Sequence, residues 1–147
     1  MGELLKIWIK TAPGEAMLEK TKVKMIANKG IEGSATEKSH HRQVTILSIE
    51  AWNKATENLG KSVDPAERRS NFLVQGIDLN KTIGKILNIG DLQIQITGET
   101  KPCNLMEKIS SGLKGALEEH WNGGATGIVV NDCSVSIGDL ASWKTNK

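Results

Sequence analysis

The strongest fold signal in the chain is the segment Ile86-Leu87-Asn88-Ile89-Gly90-Asp91-Leu92-Gln93-Ile94-Gln95-Ile96-Thr97-Gly98. After the Gly90-Asp91 pair, the apolar residues Leu92, Ile94 and Ile96 alternate strictly with polar residues. A period of two is typical of a strand with one buried face, and a Gly-Asp pair between two apolar runs indicates a hairpin turn. The segment therefore predicts two antiparallel strands, the second of which ends at the final glycine.

Short apolar runs on both sides of this hairpin predict further strands. They lie at residues 5–9, 23–27, 44–46, 72–74, 128–130 and 135–137, the last two forming a final pair. Helical spacing appears instead over residues 49–59 and in the apolar stripe Met106, Ile109, Leu113, Ala116 and Leu117. Many short strands with two helices predict an α+β domain of mainly antiparallel sheet. A barrel is favoured over an open sheet because closure removes exposed strand edges.

Length and composition predict one ordinary globular domain spanning residues 1–147. The chain is 38% hydrophobic and 24% charged, and its formal net charge is only +2. With four Trp and one Phe as its only aromatics, it does not favour nucleic-acid or anionic-membrane binding. Neither a signal peptide nor an apolar run of transmembrane length is present in the sequence, so a cytoplasmic location is predicted. No Gly-rich nucleotide-binding motif occurs.

Cys103 is the candidate reactive residue. It lies in Thr100-Lys101-Pro102-Cys103-Asn104-Leu105, between a predicted strand and a helix that Asn104 would cap. A helix N-terminus and the nearby charge of Lys101 both favour a thiolate, which is a nucleophile and a metal ligand. The alternative is a small buried residue, as most free cysteines are. Cys133 follows Asp132 at a turn and is interpreted as structural. Two cysteines without a CxxC motif indicate free thiols, with a Cys103–Cys133 disulfide as the alternative.

Two basic clusters are candidate anion-binding sites. Arg68, Arg69 and Asn71 follow Asp64-Pro65, which predicts the start of a short helical turn. Guanidinium groups suit phosphates and carboxylates, although a solvated helical face is the alternative. His40, His41 and Arg42 lie in a polar loop that either contacts an anion or substrate or is an ordinary surface loop. Adjacent histidines usually point in different directions, so they form a weak metal pair.

These motifs occur in an ordered set that resembles the MOSC domain family, named for the C-terminal domain of molybdenum cofactor sulfurase. The matching segments span nearly the whole chain, and Lys101-Pro102-Cys103 makes the set specific. They are Gly30-Ile31-Glu32-Gly33, residues 42–48, Arg69-Ser70-Asn71-Phe72-Leu73-Val74, residues 76–79, Ile89-Gly90-Asp91, residues 97–103, Gly123-Gly124 and Ile137-Gly138-Asp139. One departure is Ser34-Ala35-Thr36, where many relatives carry Asp-Arg or Asp-x-His.

The resemblance implies a β-barrel-like fold with flanking helices and binding of the molybdenum cofactor. Cys103 would be the catalytic residue, carrying sulfur or ligating molybdenum. The expected cofactor contacts are Arg42, Arg68, Arg69, Asn71 and Lys101. The implied function is sulfur transfer or molybdenum ligation. The alternatives are a molybdenum-dependent reductase subunit acting on N-hydroxylated compounds and a non-catalytic binding module. A sulfur-donor or electron-donor protein is the expected partner.

Overall fold

The fold is described from a computed structural model that covers residues 2–12, 15–35, 42–60 and 62–145. Within these ranges the strands are β1 (Gly2–Lys10), β2 (Met17–Lys20), β3 (Lys22–Ile26), β4 (Gly30–Ile31), β5 (Val44–Ser48), β6 (Phe72–Gln75), β7 (Ile86–Ile89), β8 (Leu92–Glu99), β9 (Ala125–Val129), β10 (Cys133–Ser136) and β11 (Leu140–Trp143). The α-helices are α1 (Ile49–Thr56), α2 (Asn104–Ile109) and α3 (Leu113–Glu118), and a 3₁₀ helix covers Pro65–Arg68.

Seven of these strands close into a barrel. They follow the order β11-β7-β8-β9-β5-β6-β1, and β1 pairs again with β11 through Gly2–Ala141 and Glu3–Leu140. Among the described strands only β5 and β6 run parallel, while β2 continues the sheet beyond β1. The predicted α+β class, the mainly antiparallel sheet and the barrel are confirmed, and the 86–98 hairpin forms β7 and β8.

The prediction that the last two apolar runs pair with each other is wrong. The first run belongs to β9, which is a strand of the barrel between β5 and β8. The second, in β10, joins a separate three-stranded sheet with β3 and β4, where Val135 is opposite Val23. Because both runs are short and apolar, their periodicity does not show which partner each strand takes.

Strand alternation supplies two apolar layers, one inside the barrel and one outside it. Ile46 and Phe72 point into the barrel, whereas Leu47 and Leu73 point outward to the helices. Successive side chains on a strand face opposite sides of the sheet, so one strand can serve both layers. The outer layer is completed by Trp52 of α1 and by α2 and α3, which makes these the flanking helices.

The apolar stripe at 106–117 forms two helices rather than the single one predicted. The first helix ends where Ser110 becomes extended, and Gly112, whose φ of 89° is left-handed, is the N-cap of the second. Met106, Leu113 and Leu117 are nevertheless all buried against the barrel, so the predicted apolar face is correct. In the described residues no helix has the length and apolar character to cross a bilayer.

Candidate functional site

The structure brings the predicted cysteine and three predicted arginines to one cleft. Cys103, Arg42, Arg68 and Arg69 line this cleft, which has a volume of about 210 Å³. Arg42 precedes β5, the two other arginines lie at the end of the 3₁₀ helix, and the cysteine precedes α2. The three segments that carry these residues are 26 residues or more apart along the chain, so only the tertiary fold makes them neighbours. Lys101, which the sequence also predicted as a cofactor contact, is exposed and does not line the cleft.

Cys103 is exposed, and its thiol is free. It is the N-cap of α2, a position that the sequence predicted for Asn104, and its carbonyl accepts the first helical hydrogen bond from Met106 N at 3.0 Å. Since α2 has only six residues, its dipole is small. The positive charge around the thiol therefore comes mainly from the arginine side chains.

The segment that leads to Cys103 is anchored at Thr100, whose exposed fraction is 3%. Its backbone N–H donates to Gly124 O at 2.9 Å, and its hydroxyl donates to Gly123 O at 2.7 Å. Both glycines are required by this close approach. A Cβ at 123 would lie 2.8 Å from Thr100 O, and one at 124 would lie 2.3 Å from Ile46 O. The Gly-Gly pair thus holds the cysteine-bearing loop against the barrel.

Arg68 reinforces the same anchor. Its Nε donates to Gly123 O at 3.0 Å and its Nη2 donates to Thr100 O at 2.8 Å. Burial lowers the pKa of this guanidinium, the charge of Arg42 lowers it further, and the Cys103 thiolate opposes both effects. Arg68 therefore positions the cysteine loop and also places its charge near the thiol. A cofactor contact from its remaining donors stays a prediction.

The side chains of Arg69 and Arg42 make fewer hydrogen bonds to described residues than the side chain of Arg68. Arg69 caps the 3₁₀ helix in a left-handed conformation with φ of 61°, and its Nη2 donates to Glu15 O at 2.8 Å. Arg42 is exposed, and within the described ranges it has neither an ion pair nor a hydrogen bond. Both side chains keep donors that an anion in the cleft can accept.

Asn71 lines the cleft, but its carboxamide is occupied by the backbone. Its Oδ1 accepts the Thr45 N–H at 2.9 Å, and its Nδ2 donates to Trp8 O at 3.2 Å. These bonds tie β1 and β5 together at the start of β6. Asn71 therefore supports the floor of the cleft. Its contact with a cofactor stays a prediction.

Several cleft residues were not identified from the sequence. Lys10, at the end of β1, adds a fourth cation, and Ser34 Oγ accepts the Lys10 N–H at 3.2 Å. Met17, Leu105 and Met106 supply an apolar side. Lys10 and Met17 reach the cleft through the pairing of β1 with β2 and β6, and Leu105 and Met106 reach it on α2, so no local motif marks them as cleft residues. His40 and His41, from the second basic cluster, lie outside the described residues.

The described lining residues fit an anionic group that carries a soft metal. They include four Lys or Arg side chains, and none of them carries a carboxylate. Small-molecule pockets are usually about 300–1,000 Å³, so a cleft of this size would hold part of a large cofactor rather than enclose it. No group of three His, Cys, Asp or Glu side chains suited to a metal ion exists in the described part of the chain. Cys103 carries the one thiol among the described lining residues, and its thiolate would be a soft, anionic metal ligand.

Cys133 lies away from the cleft, at the start of β10. It is partly buried and free, so no disulfide joins it to Cys103. Burial raises the pKa of its thiol, and the neighbouring carboxylates of Asp91, Asp132 and Asp139 raise it further. Its environment is therefore unfavourable to a thiolate, as the structural interpretation from the sequence predicted.

Comparison with solved structures finds the same fold in bacterial proteins. The YuaD protein from Bacillus subtilis matches with a TM-score of 0.81 and 20% sequence identity, over 100% of this chain and 98% of that chain. YiiM from Geobacillus stearothermophilus matches with a TM-score of 0.74 and 14% identity, over 99% and 76%. YiiM from Escherichia coli gives 0.69 and 17%, over 99% and 71%. No curated protein matches the sequence.

The family comparison agrees with the barrel and with the order of the motifs. The model of the MOSC domain matches residues 29–140, a range that contains Cys103, the three arginines of the cleft and the Gly-Gly anchor. The matched range includes the barrel strands β5 to β9 in full and ends at the first residue of β11. The chain therefore belongs to the MOSC domain family.

Proposed function

We propose that the chain binds the molybdenum cofactor in the Cys103 cleft and uses the thiolate as a metal ligand or sulfur carrier. The observation that carries this proposal is an exposed thiol beside Arg42, Arg68 and Arg69, in a cleft whose described lining has no carboxylate. A soft thiolate suits molybdenum, and guanidinium groups suit the phosphate of the cofactor. MOSC domains as a family are associated with molybdenum cofactor proteins, which agrees with this chemistry.

Each residue of the cleft would have its own role toward the cofactor. Cys103 would contact the metal end of the cofactor, which supplies the redox and sulfur chemistry when bound. Arg42 and Arg69, whose donors are the least committed, would bind the phosphate, while Arg68 and Asn71 would hold the cleft in shape. Lys101, which is exposed outside the lining, would add long-range attraction for an anion. A sulfur-donor or electron-donor protein is the partner that this chemistry requires.

Cofactor loading tests the proposal. The wild-type protein is purified from cells that make the molybdenum cofactor, and bound molybdenum is measured by mass spectrometry while bound pterin is measured by fluorescence after oxidation. We expect Cys103→Ser to lose at least about tenfold in metal occupancy, since the soft ligand is replaced by a hydroxyl. The matched control is Cys133→Ser, which changes the same residue type outside the cleft and should load normally.

A second measurement separates the two roles of the thiol. Cyanide releases thiocyanate from a persulfide, so thiocyanate that depends on Cys103 indicates sulfur carriage, and its absence with metal bound indicates ligation. Equal metal and pterin in wild type and Cys103→Ser, or no loading of either protein, would refute the proposal.

A further inference from the structure

A second cavity, of about 580 Å³, lies outside the cysteine cleft and shares no lining residue with it. Its walls are the start of α1, the loop that follows β6 and the loop that connects α3 to β9. The volume falls within the range of roughly 300–1,000 Å³ that is typical of small-molecule sites. The role proposed for Cys103 makes no use of this cavity.

One wall of the cavity is apolar, and part of that wall is a strained loop. Ile77 and Leu79, both nearly buried, face it together with the partly buried Trp121. His120 and Trp121 have φ values of 49° and 58°, so two successive non-glycine residues adopt a left-handed conformation. Backbone strain of this kind concentrates at functional sites because the surrounding structure must enforce it.

The strained conformation is enforced by Asn122. Its backbone N–H donates to Glu119 O at 2.8 Å, and its side-chain Nδ2 donates to Ala116 O at 3.2 Å. Asn122 is itself buried and lines the cavity. The loop is therefore clamped to the end of α3, which keeps the indole of Trp121 at the cavity wall.

The polar side of the cavity carries both signs of charge. Glu50 and Asp78 are its carboxylates. Glu50 accepts the Gly76 N–H at 3.0 and 3.1 Å, and one oxygen of Asp78 accepts the Asn80 N–H at 3.0 Å. Lys54 and His120 are its bases, and in the described part of the chain neither side chain has a partner. Although Glu50 is one helical turn before Lys54, its carboxylate is held at Gly76 instead of pairing with the ammonium group.

We propose that this cavity binds a zwitterionic small molecule with an apolar side group, of the class of free α-amino acids. The ligand's carboxylate would meet Lys54 and His120, its ammonium group would meet Asp78 and Glu50, and its side group would pack on Trp121, Ile77 and Leu79. This assignment uses every ionisable side chain of the described lining. A ligand with one charge only would leave the opposite pair of side chains unmatched, which weakens binding.

Titration followed by backbone amide NMR tests the proposal on the intact chain. The probes are L-phenylalanine and two analogues that each lack one charge, 3-phenylpropionate and 2-phenylethylamine. We expect L-phenylalanine to shift the resonances of residues 76–80 and 120–122, with each analogue binding at least about tenfold more weakly. L-leucine and L-methionine test the apolar wall with side chains that lack an aromatic ring.

Two variants test which side chain meets the carboxylate of the ligand and which meets its ammonium group. Lys54→Gln should weaken L-phenylalanine more than it weakens 2-phenylethylamine, which has no carboxylate. Asp78→Asn keeps an oxygen that can accept the Asn80 N–H, and it should weaken L-phenylalanine more than 3-phenylpropionate. Lys85→Gln is the matched control, since Lys85 is exposed and does not line the cavity.

Three results would overturn the proposal. One is an analogue that binds as tightly as L-phenylalanine, which would mean that the site recognises a single charge. Another is a set of shifts confined to the cysteine cleft. The last is the absence of shifts with all three amino acids up to about 10 mM, a concentration at which even a weak site would be partly filled.

Discussion

At the scale of single residues, Arg68 links the chemistry of the cleft to its geometry. Two of its donors hold the carbonyls of Thr100 and Gly123, and its charge lies near Cys103 and Arg42. Arg69, the next residue, is exposed, and in the described part of the chain its side chain makes one hydrogen bond, to Glu15 O. Two adjacent arginines with the same predicted role therefore do different things in the structure.

Arg68→Lys should destabilise the fold by about 2 kcal/mol, because one ammonium group cannot satisfy both buried carbonyls in the geometry of a guanidinium. Arg69→Lys should change stability by less than about 0.5 kcal/mol, since its one bond is exposed. The measurement is the free energy of unfolding in urea for both variants. Equal losses would show that Arg68 does not anchor the cysteine loop.

The two thiols should differ in their pH profiles. A raised pKa keeps the Cys133 thiol protonated, so its alkylation by iodoacetamide should become fast only at a pH above that at which an ordinary thiol reacts. Cys103, which is exposed, should be modified first. Peptide mass spectrometry at several pH values measures both rates, with urea-unfolded protein as the control in which the two rates converge. Faster modification of Cys133 in the folded protein would contradict this expectation.

At the scale of elements, the start of β9 holds the loop that precedes α2. Gly124 has a φ of 103°, and a side chain there would meet Ile46 O of β5 and the hydroxyl of Thr100. The sequence indicates a break at Gly123-Gly124, but only the packing explains why both positions must lack a side chain. The same contacts couple the geometry of the Cys103 loop to the barrel.

Gly124→Ala should cost more than about 2 kcal/mol of stability, because it combines a strained φ with a collision of the new Cβ with the backbone oxygen of Ile46. It should also loosen the Cys103 loop and alter the rate of thiol labelling. The matched control is Gly115→Ala in α3, where a Cβ meets no atom within 4 Å and φ is not positive. That change should stabilise the protein by about 0.5–1 kcal/mol, as expected for a helical glycine. Thermal and urea unfolding would test both, and similar effects of the two substitutions would contradict the close-packing argument.

At the scale of the whole molecule, the described barrel is closed by its shortest strand pairing. Among the described residues, β1 pairs with β11 at Gly2–Ala141 and Glu3–Leu140, and Leu4 adds backbone hydrogen bonds to Gly138 and Asp139 just before β11, whereas β8 and β9 pair from Ile94–Val129 to Glu99–Ala125. Ile94 and Ile96 of β8 are almost completely buried, whereas Leu140 of β11 is 60% exposed. Local opening is easiest where pairing is short and apolar burial is small.

Amide hydrogen exchange should therefore show the strongest protection in β8 and β9 and markedly weaker protection in β11 and in the first residues of β1. NMR-detected exchange in deuterated buffer measures this residue by residue. The hairpin partner β7 serves as the internal comparison, because it pairs with both β8 and β11. Uniform protection around the barrel would mean that closure opens only with global unfolding.

The sequence by itself determined the local features of this protein. The 86–98 hairpin, the Asp64-Pro65 start of the 3₁₀ helix, the apolar face of 106–117 and the position of Cys103 just before a helix all follow from side-chain periodicity and turn chemistry. These signals operate between residues a few positions apart. The ordered motifs also identified the family and, through it, the barrel.

Tertiary structure alone decided which distant residues meet. It gathered Arg42, Arg68 and Arg69 around Cys103, left Lys101 outside the cleft, and bound two donors of Arg68 and the amide of Asn71 to backbone carbonyls. It also placed β9 and β10 in different sheets. The physical reason is that strand pairing joins segments tens of residues apart, such as Val44 of β5 with Gly127 of β9, and no local pattern records the partner of a strand or the direction of a side chain.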